Sequence, residues 1–382
     1  MITDLNAIMT DVEQNQTLSL MLELYQRLSQ NETNLFFSPF SISTVMSMVL
    51  LGAKGNTAVE LIKGLGYSDK CESTIHSANL ERLKKISGIS KILTLETANK
   101  LFPEITFEME QEFINGCKSS YLSTVEGVNF INKANEARSA INAWAEKQTK
   151  GKIQNLLPEG SVSSNTRLVL VNAVYFKGDW QNKFDPKHTS QAKFHVNEKH
   201  SLSVEMMSRS GKYNINFDQT LGVQVVELPY KGGDVSMIIL LPSEKFGLKK
   251  LEKQLTSSKL QALTENFFNE KIDLALPKMK LEHSFDVVDT LKQMGISDVF
   301  DESRADLSGM SGTKGLFVSN VFHKAFVEVN EEGSEAAAAT AAVVMLRAAL
   351  IPVRIICDHP FMFVLKHRPS QTILFCGRYV SP

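Results

Sequence analysis

Chemistry in this chain of 382 residues would have to come from its eight histidines, four cysteines, serines or carboxylates. Their spacing supports very little of it. There is no G-x-S-x-G elbow, no H-E-x-x-H helix, no Walker loop and no G-x-G-x-x-G turn. Gly309-Met310-Ser311-Gly312 approaches the elbow pattern, but its second glycine comes one place early, in a Gly/Ser-rich loop. The histidines pair with no cysteine or carboxylate at ligand spacing. Cys71, Cys117, Cys357 and Cys376 form no C-x-x-C pair, so free and mostly buried thiols are expected. No catalytic residue, cofactor or metal is expected, and a serine hydrolase would need a triad that is not found.

One stretch is unusual in another way. "EEGSEAAAATAAVVMLRAAL", residues 331–350, has alanine at six of the seven positions from Ala336 to Ala342. Alanine is the best helix former, yet no apolar stripe faces a polar one, so a helix here would have little to bury. The run ends in a lone arginine, Arg347, among small and apolar residues. Read in isolation, the stretch is either an alanine-rich surface helix or a segment kept small for another purpose.

The elements around it must position it. A hydrophobic content of 43%, a charged content of 22% and a net charge of −1 are ordinary for a globular chain. No global field steers it to nucleic acid or an anionic membrane. The most apolar run, "VMSMVLLGA" (45–53), is too short to span a bilayer. Helical spacing predicts helices over 17–30, over 38–52 with Ser38 as cap and Pro39 in the first turn, and over 136–153. Beyond about residue 166 the period becomes two. Strands are expected in "RLVLVNAVYFKGDW", in "VQVVELPYKGGDVSMIILLPSE" with a hairpin turn at Gly232-Gly233, and in "KIDLALPKMKLEHSF". A last helix is expected in "DVVDTLKQMGI", then two buried strands around a polar turn at the C-terminus. No repeat or linker divides the chain, so one α+β domain over 1–382 is expected.

Five segments carry a more specific reading: "NLFFSPFSIS" (34–43), "LVNAVYFKGDW" (170–180), "ADLSGM" (305–310), "VFHKAFVEVNEEGSEAAAAT" (321–340) and "HPFMFVLKH...ILFCGRYVSP" (359–382). In content and order they resemble the serpin family, over nearly the whole chain. The resemblance implies three β-sheets, about nine helices and an exposed reactive-centre loop at about 331–352. It also implies a native state that is metastable until that loop enters the central sheet.

This reading gives the alanine run a purpose. In a strand, alternate side chains face opposite ways. Glu335 should stay in water, so Ser334, Ala336, Ala338, Thr340, Ala342 and Val344 face inward, and they begin small. The expected hinge is Glu332, Gly333, Ser334, Glu335, Ala336, Ala337, Ala338, Ala339 and Thr340. Family spacing from Gly333 puts the scissile bond at Arg347–Ala348, and an arginine suits a trypsin-like primary pocket with an acidic base. Ala348 stands where most such serpins carry serine, and Leu346–Arg347 is the alternative bond. By the same resemblance Ser38, Ser41, Asn172 and His323 form a polar "shutter" cluster under the central sheet. Trp180 marks the "breach" where the loop first enters.

The expected function is suicide inhibition of trypsin-like serine proteases, the chain supplying no catalytic residue of its own. The alternative is a non-inhibitory serpin: a carrier, chaperone or storage protein. Such members tend to have bulky, charged or proline residues in the hinge, which is small here. A monomer is expected. Arg82, Lys84, Lys85 and Lys91 form a modest basic cluster, either a solvated helix face or a weak polyanion site. "MITDLNAIMTDVEQNQ" lacks a secretory leader, so the chain is expected to stay inside the cell unless Met1 follows a removed signal. The "GRYVSP" ending looks most like the ovalbumin-like branch, without the long insert between the third and fourth helices that some members carry. Sequons at Asn15 and Asn31 do not decide the compartment.

Overall fold

The computed structural model describes residues 17–67, 70–91, 93–332 and 353–382. Ser334 to Leu350, with Gly333 and the rest of the reactive segment, lie outside the described residues, as does Asn15.

Helix α1 (17–28) buries Leu18, Met21, Leu22 and Tyr25 at the expected spacing. Strand β1 (Leu35–Phe37) ends at Ser38, whose Oγ accepts the Ser41 N–H at 3.1 Å and so caps α2 (Pro39–Leu50), with Pro39 in the first turn. Every residue of α2 is buried, so it runs through the core with no polar face. Then come α3 (Gly55–Gly64), α4 (Glu72–Ser87), β2 (Thr94–Pro103), α5 (Gln111–Tyr121) and α6 (Phe130–Gln148). Helix α6 starts six residues before the sequence pattern predicts. Asn129 caps it through the Asn132 N–H at 2.9 Å, and Lys133 departs from helical geometry inside it.

The strand-rich part follows: β3 (Leu168–Lys177), β4 (Thr189–Asn197), β5 (His200–Asp218), β6 (Val223–Pro229) and β7 (Val235–Pro242). The β6–β7 turn forms at Gly232 and Gly233, at φ of 92° and 76°, which L side chains disfavour. Helices α7 (Leu248–Gln254) and α8 (Ser257–Glu265) precede β8 (Phe268–Pro277) and β9 (Met279–Asp286). The run expected as one strand thus breaks at Pro277, which can end a ladder because it has no N–H to donate. Its two halves join different sheets. Helices α9 (Val288–Gln293) and α10 (Ser308–Ser311) lead to β10 (Asn320–Val329), and the chain closes with β11 (Val353–Ile356), β12 (Phe361–His367) and β13 (Thr372–Tyr379).

A four-stranded central sheet has the order β2-β3-β10-β9. The other two expected sheets form one connected set of nine strands, because β5 is 19 residues long and serves both: it pairs with β4 and β8 through its first part and with β6 through its end. The α+β class is as expected, with ten α-helices among the described residues. Of the four cysteines, Cys117, Cys357 and Cys376 are buried, Cys71 is exposed, and all are free thiols.

The central sheet has one pair unlike the rest. Strands β3 and β10 run parallel and are joined over eight registered positions, Asn320–Val327 against Val169–Phe176, while β2–β3 and β10–β9 are antiparallel. On one face of this seam, Val171, Ala173, Tyr175, Phe322 and Phe326 pack under α6 with Ile141 and Ala145. On the other face, Val174, Phe176, Ala325 and Val327 join the core above the β6–β7 hairpin. Lys324 ties the seam to the chain after α6: its ammonium donates to the Gln154 carbonyl at 2.7 Å and pairs with Glu282 at 2.8 Å.

Candidate functional site

The candidate site is the seam itself, with a polar cluster below its middle and an aromatic cluster at its open end. Asn172 on β3 and His323 on β10 are registered opposite one another. Ser38 and Ser41 reach them from the first turn of α2, so all four predicted residues meet, buried to 1% exposure or less. The Ser38 N–H donates to His323 Nε2 at 3.1 Å. That leaves the imidazole proton on Nδ1, which donates to Asn172 Oδ1. The Asn172 amide then donates to Ser41 Oγ and, at 2.5 Å, to Asn99 Oδ1, which also accepts from Ser41 Oγ at 3.0 Å. Ser38 Oγ donates to the Leu374 carbonyl at 2.7 Å, linking the cluster to β13. Asn99 on β2 is a fifth member that the sequence reading missed. An asparagine among the alternating residues of "TANKLF" was the only available hint.

A buried, satisfied network of this kind is strong because little water competes with it, and any member left unpaired is costly. Burial lowers the His323 imidazole to about 3. The folded state therefore holds it neutral, whereas an unfolded chain protonates it near 6.5. Stability from this group is complete above pH 6.5 and is lost as the pH falls from there toward 3. At pH 5 the loss is about 2 kcal/mol, at 1.36 kcal/mol per unit. Burial lowers His76, His283 and His367 as well, so they add slopes of the same sign. His323→Gln, which cannot titrate, should therefore lose less stability than wild type between pH 7.5 and pH 5. Parallel urea-unfolding midpoints for the two proteins across that range would contradict this account.

At the other end of the seam Trp180 is 3% exposed and stacks on Tyr230, with ring centroids 4.4 Å apart, and Phe184 stands edge-on. The indole N–H donates to the Asn330 carbonyl at 2.9 Å. The Trp180 and Phe184 N–H groups donate to the carbonyls of Glu332 and Glu331 at 3.3 and 3.0 Å. Glu331 also accepts from the Thr189 hydroxyl at 2.8 Å and pairs with Lys278 at 3.5 Å. Burial works to raise its carboxyl, but these donors together hold it below the usual carboxylate range. The last described residues before the reactive segment are thus clamped. Of the predicted hinge only Glu332 is described, and it is exposed. The clamp partners Glu331, Lys278 and Thr189 were not foreseen, since no local pattern marks a charge pair formed between distant strands.

Arg82 is half-buried on α4, Lys84 pairs with Glu81 at 3.2 Å and Lys85 is exposed, while the Lys91 side chain lies outside the described ones.

A central sheet with a parallel seam, polar groups bridging it from beneath and a clamped strand end leading into a small-residue segment define the class of fold. The model of the serpin (serine protease inhibitor) family matches residues 15–382, and this chain belongs to that family. It is 43% identical to human Serpin B4 over 380 residues, covering 95% of this chain and 97% of that protein. It is 44% identical to rat leukocyte elastase inhibitor A, covering 94% and 97%. The structure of uncleaved ovalbumin superposes with a TM-score of 0.88 at 33% identity, covering 96% and 99% of the two chains. The expected resemblance to the ovalbumin-like branch agrees with these relatives. The sequence reading of the chain simply as a non-enzyme, drawn from absent motifs, is corrected to a positive assignment: membership of a family described by the inhibition of serine proteases. The missing motifs carry no weight in that assignment.

Proposed function

We propose that the protein is an inhibitory serpin that traps trypsin-like serine proteases as a suicide substrate cut at Arg347–Ala348. Its whole length, 1–382, acts as one unit and as a monomer inside the cell, with the reactive segment at about 331–352. The protease serine attacks the Arg347 carbonyl. The acyl-enzyme forms, and residues from Gly333 onward enter the central sheet before hydrolysis. The protease, dragged along by its ester, then loses the aligned oxyanion hole that deacylation needs.

The observation that carries this reading is the parallel β3–β10 seam. The chain leaves β10 at Val329 and would return from the hinge antiparallel to it. A strand inserted there lies antiparallel to both β10 and β3, replacing one parallel ladder by two antiparallel ones, and antiparallel pairing is slightly the stronger per residue. Ser38, Ser41, Asn172 and His323 act in this reading as a latch that must rearrange as the strands part, and Trp180 as the point of first opening. Relatives named as leukocyte elastase inhibitors support a protease partner. Arg347 is what directs this chain to trypsin-like enzymes instead. Arg82, Lys84, Lys85 and Lys91 are at most a weak polyanion contact. The non-inhibitory alternative lacks support from the hinge, where Ser334 and Ala336–Ala339 are small.

Incubation with trypsin should give an SDS-resistant complex and release a C-terminal peptide starting at Ala348. Ser334→Arg should be cut at the same bond without forming the complex, because its guanidinium would be buried unpaired between strands, at a cost of several kcal/mol. The reading fails if wild type is merely digested. The inward placement of Ser334 fails if Ser334→Arg traps protease at wild-type stoichiometry.

A further inference from the structure

The chain emerges from the reactive segment into β11, which pairs with β8, which in turn pairs with β5. Ile272, Leu274 and Ile355 point into the core of this three-strand section. Its outer face presents Lys212 on β5, Lys271 on β8, and Arg354 and Ile356 on β11, all exposed. Lys212 and Lys271 are directly opposite in register. Like charges so placed are destabilising, and among the described residues Lys212, Lys271 and Arg354 form no ion pair. Asp273 on the same face stands between Ser210 and Arg354 in register and accepts a hydrogen bond from Ser210, so it offsets Arg354 in part and leaves the Lys212–Lys271 pair unrelieved. A groove of about 650 Å³ opens at the Arg354 end of this face, bordered by Arg354, Ile356, Arg209 and His188 with Asp185 and Asp273, while Lys212 and Lys271 lie outside it. A local arrangement that opposes stability without an internal purpose points to an external partner.

Chain length says which partner can reach it. Five residues separate Arg347 from Val353, so the six steps between them span at most about 22 Å of extended chain. A globular protease of some 200 residues or more has a radius of gyration of about 17 Å. A protease holding Arg347 in its cleft therefore overhangs the first residues of β11. We propose that the outer face carrying Lys212, Lys271 and Arg354 around Ile356 is a second docking surface for the target protease. It selects enzymes whose surface beside the cleft is acidic. This rests on the inhibitory reading above and adds to it what discriminates among arginine-cutting proteases. Apolar Ile356, 37% exposed and on the same face as Arg354, supplies a centre that can be desolvated within the basic rim. The charges act chiefly on the association rate.

The test compares wild type with the triple variant Lys212→Glu, Lys271→Glu, Arg354→Glu against two trypsin-like proteases, one with an acidic and one with a basic surface beside its cleft. The association rate constant with the acidic-surface enzyme should fall about tenfold or more, within the range of electrostatic steering, and the stoichiometry of inhibition should hold. The basic-surface enzyme should be inhibited as fast or faster. Equal rates within twofold for the acidic-surface enzyme would overturn the docking face and leave the inhibitory reading intact. If wild type forms no complex with either enzyme, the inhibitory reading itself falls. Should the variant fold poorly, wild-type rates decide: a drop of threefold or more from 0.05 to about 0.5 M NaCl is expected, and salt-independent rates would overturn the proposal. Heparin binding that the variant loses, with protease rates unchanged, would assign the face to a polyanion instead.

Discussion

Replacing Arg347 by alanine should reduce the rate of inhibition of trypsin-like proteases by about 10⁴-fold. A pocket built around a buried carboxylate rejects a residue that leaves that carboxylate unpaired by four orders of magnitude or more. Arg347→Lys should lose far less, since it keeps the charge though not the planar fork. The alanine variant should instead be attacked by elastase-like enzymes, as its bond then lies among small residues. The released peptide identifies the bond. A first residue of Ala348 supports cleavage after Arg347. A first residue of Arg347 moves the bond to Leu346–Arg347, predicts chymotrypsin-like taste, and leaves trypsin inhibition indifferent to the substitution. Undiminished trypsin inhibition by Arg347→Ala would sink the assignment.

Limited proteolysis within residues 340–348 should raise the melting temperature, by about 10 °C or more, equivalent to several kcal/mol for a chain of this size. An ordinary nick does the reverse, because it frees chain ends and loosens what they held. In the proposed reading the freed segment would enter the seam between β3 and β10. Eight registered positions of parallel pairing are exchanged for two antiparallel ladders. The new strand carries no proline between 331 and 347 to interrupt them. The same exchange must lift α6, whose apolar face covers both strands, and must break the Lys324–Gln154 tie. Those contacts delay insertion without opposing its end point, since they can reform over the widened sheet. A cleaved form melting at or below the intact temperature would show that the segment stays out, and trapping by insertion would fall with it.

Much of this architecture was legible in the residues because local chemistry dictated it. Ser38-Pro39 can begin a helix and does. Gly232-Gly233 can turn a hairpin and does. Ser38, Ser41, Asn172 and His323 were grouped only through family resemblance, since they come from three places in the chain and no local rule connects them. Asn99 escaped because one asparagine in a strand has the ordinary reading of an exposed polar residue. It becomes a network member only through its register with Asn172. Glu331 and Lys278 escaped for the same reason: an ion pair formed across a junction between sheets leaves no periodicity. The break of 271–285 into β8 and β9 was marked by Pro277, but a proline alone does not tell which sheet each half will join. The sharing of β5 between two sheets likewise depends on long-range pairing.

The chain's two tryptophans fall at the two places that the proposed insertion would move. Trp180 holds the end of β10 through its indole N–H, and Trp144 on α6 packs edge-on against Phe102 with the Lys100 ammonium 5.0 Å from its ring. One ring thus senses the mouth of the seam, and the other senses the helix that straps it. With no other tryptophan to mask them, the protein carries its own pair of optical reporters. Trp144→Phe and Trp180→Phe variants, followed separately by stopped-flow fluorescence, would resolve in time whether the strap lifts before the mouth opens or only after it.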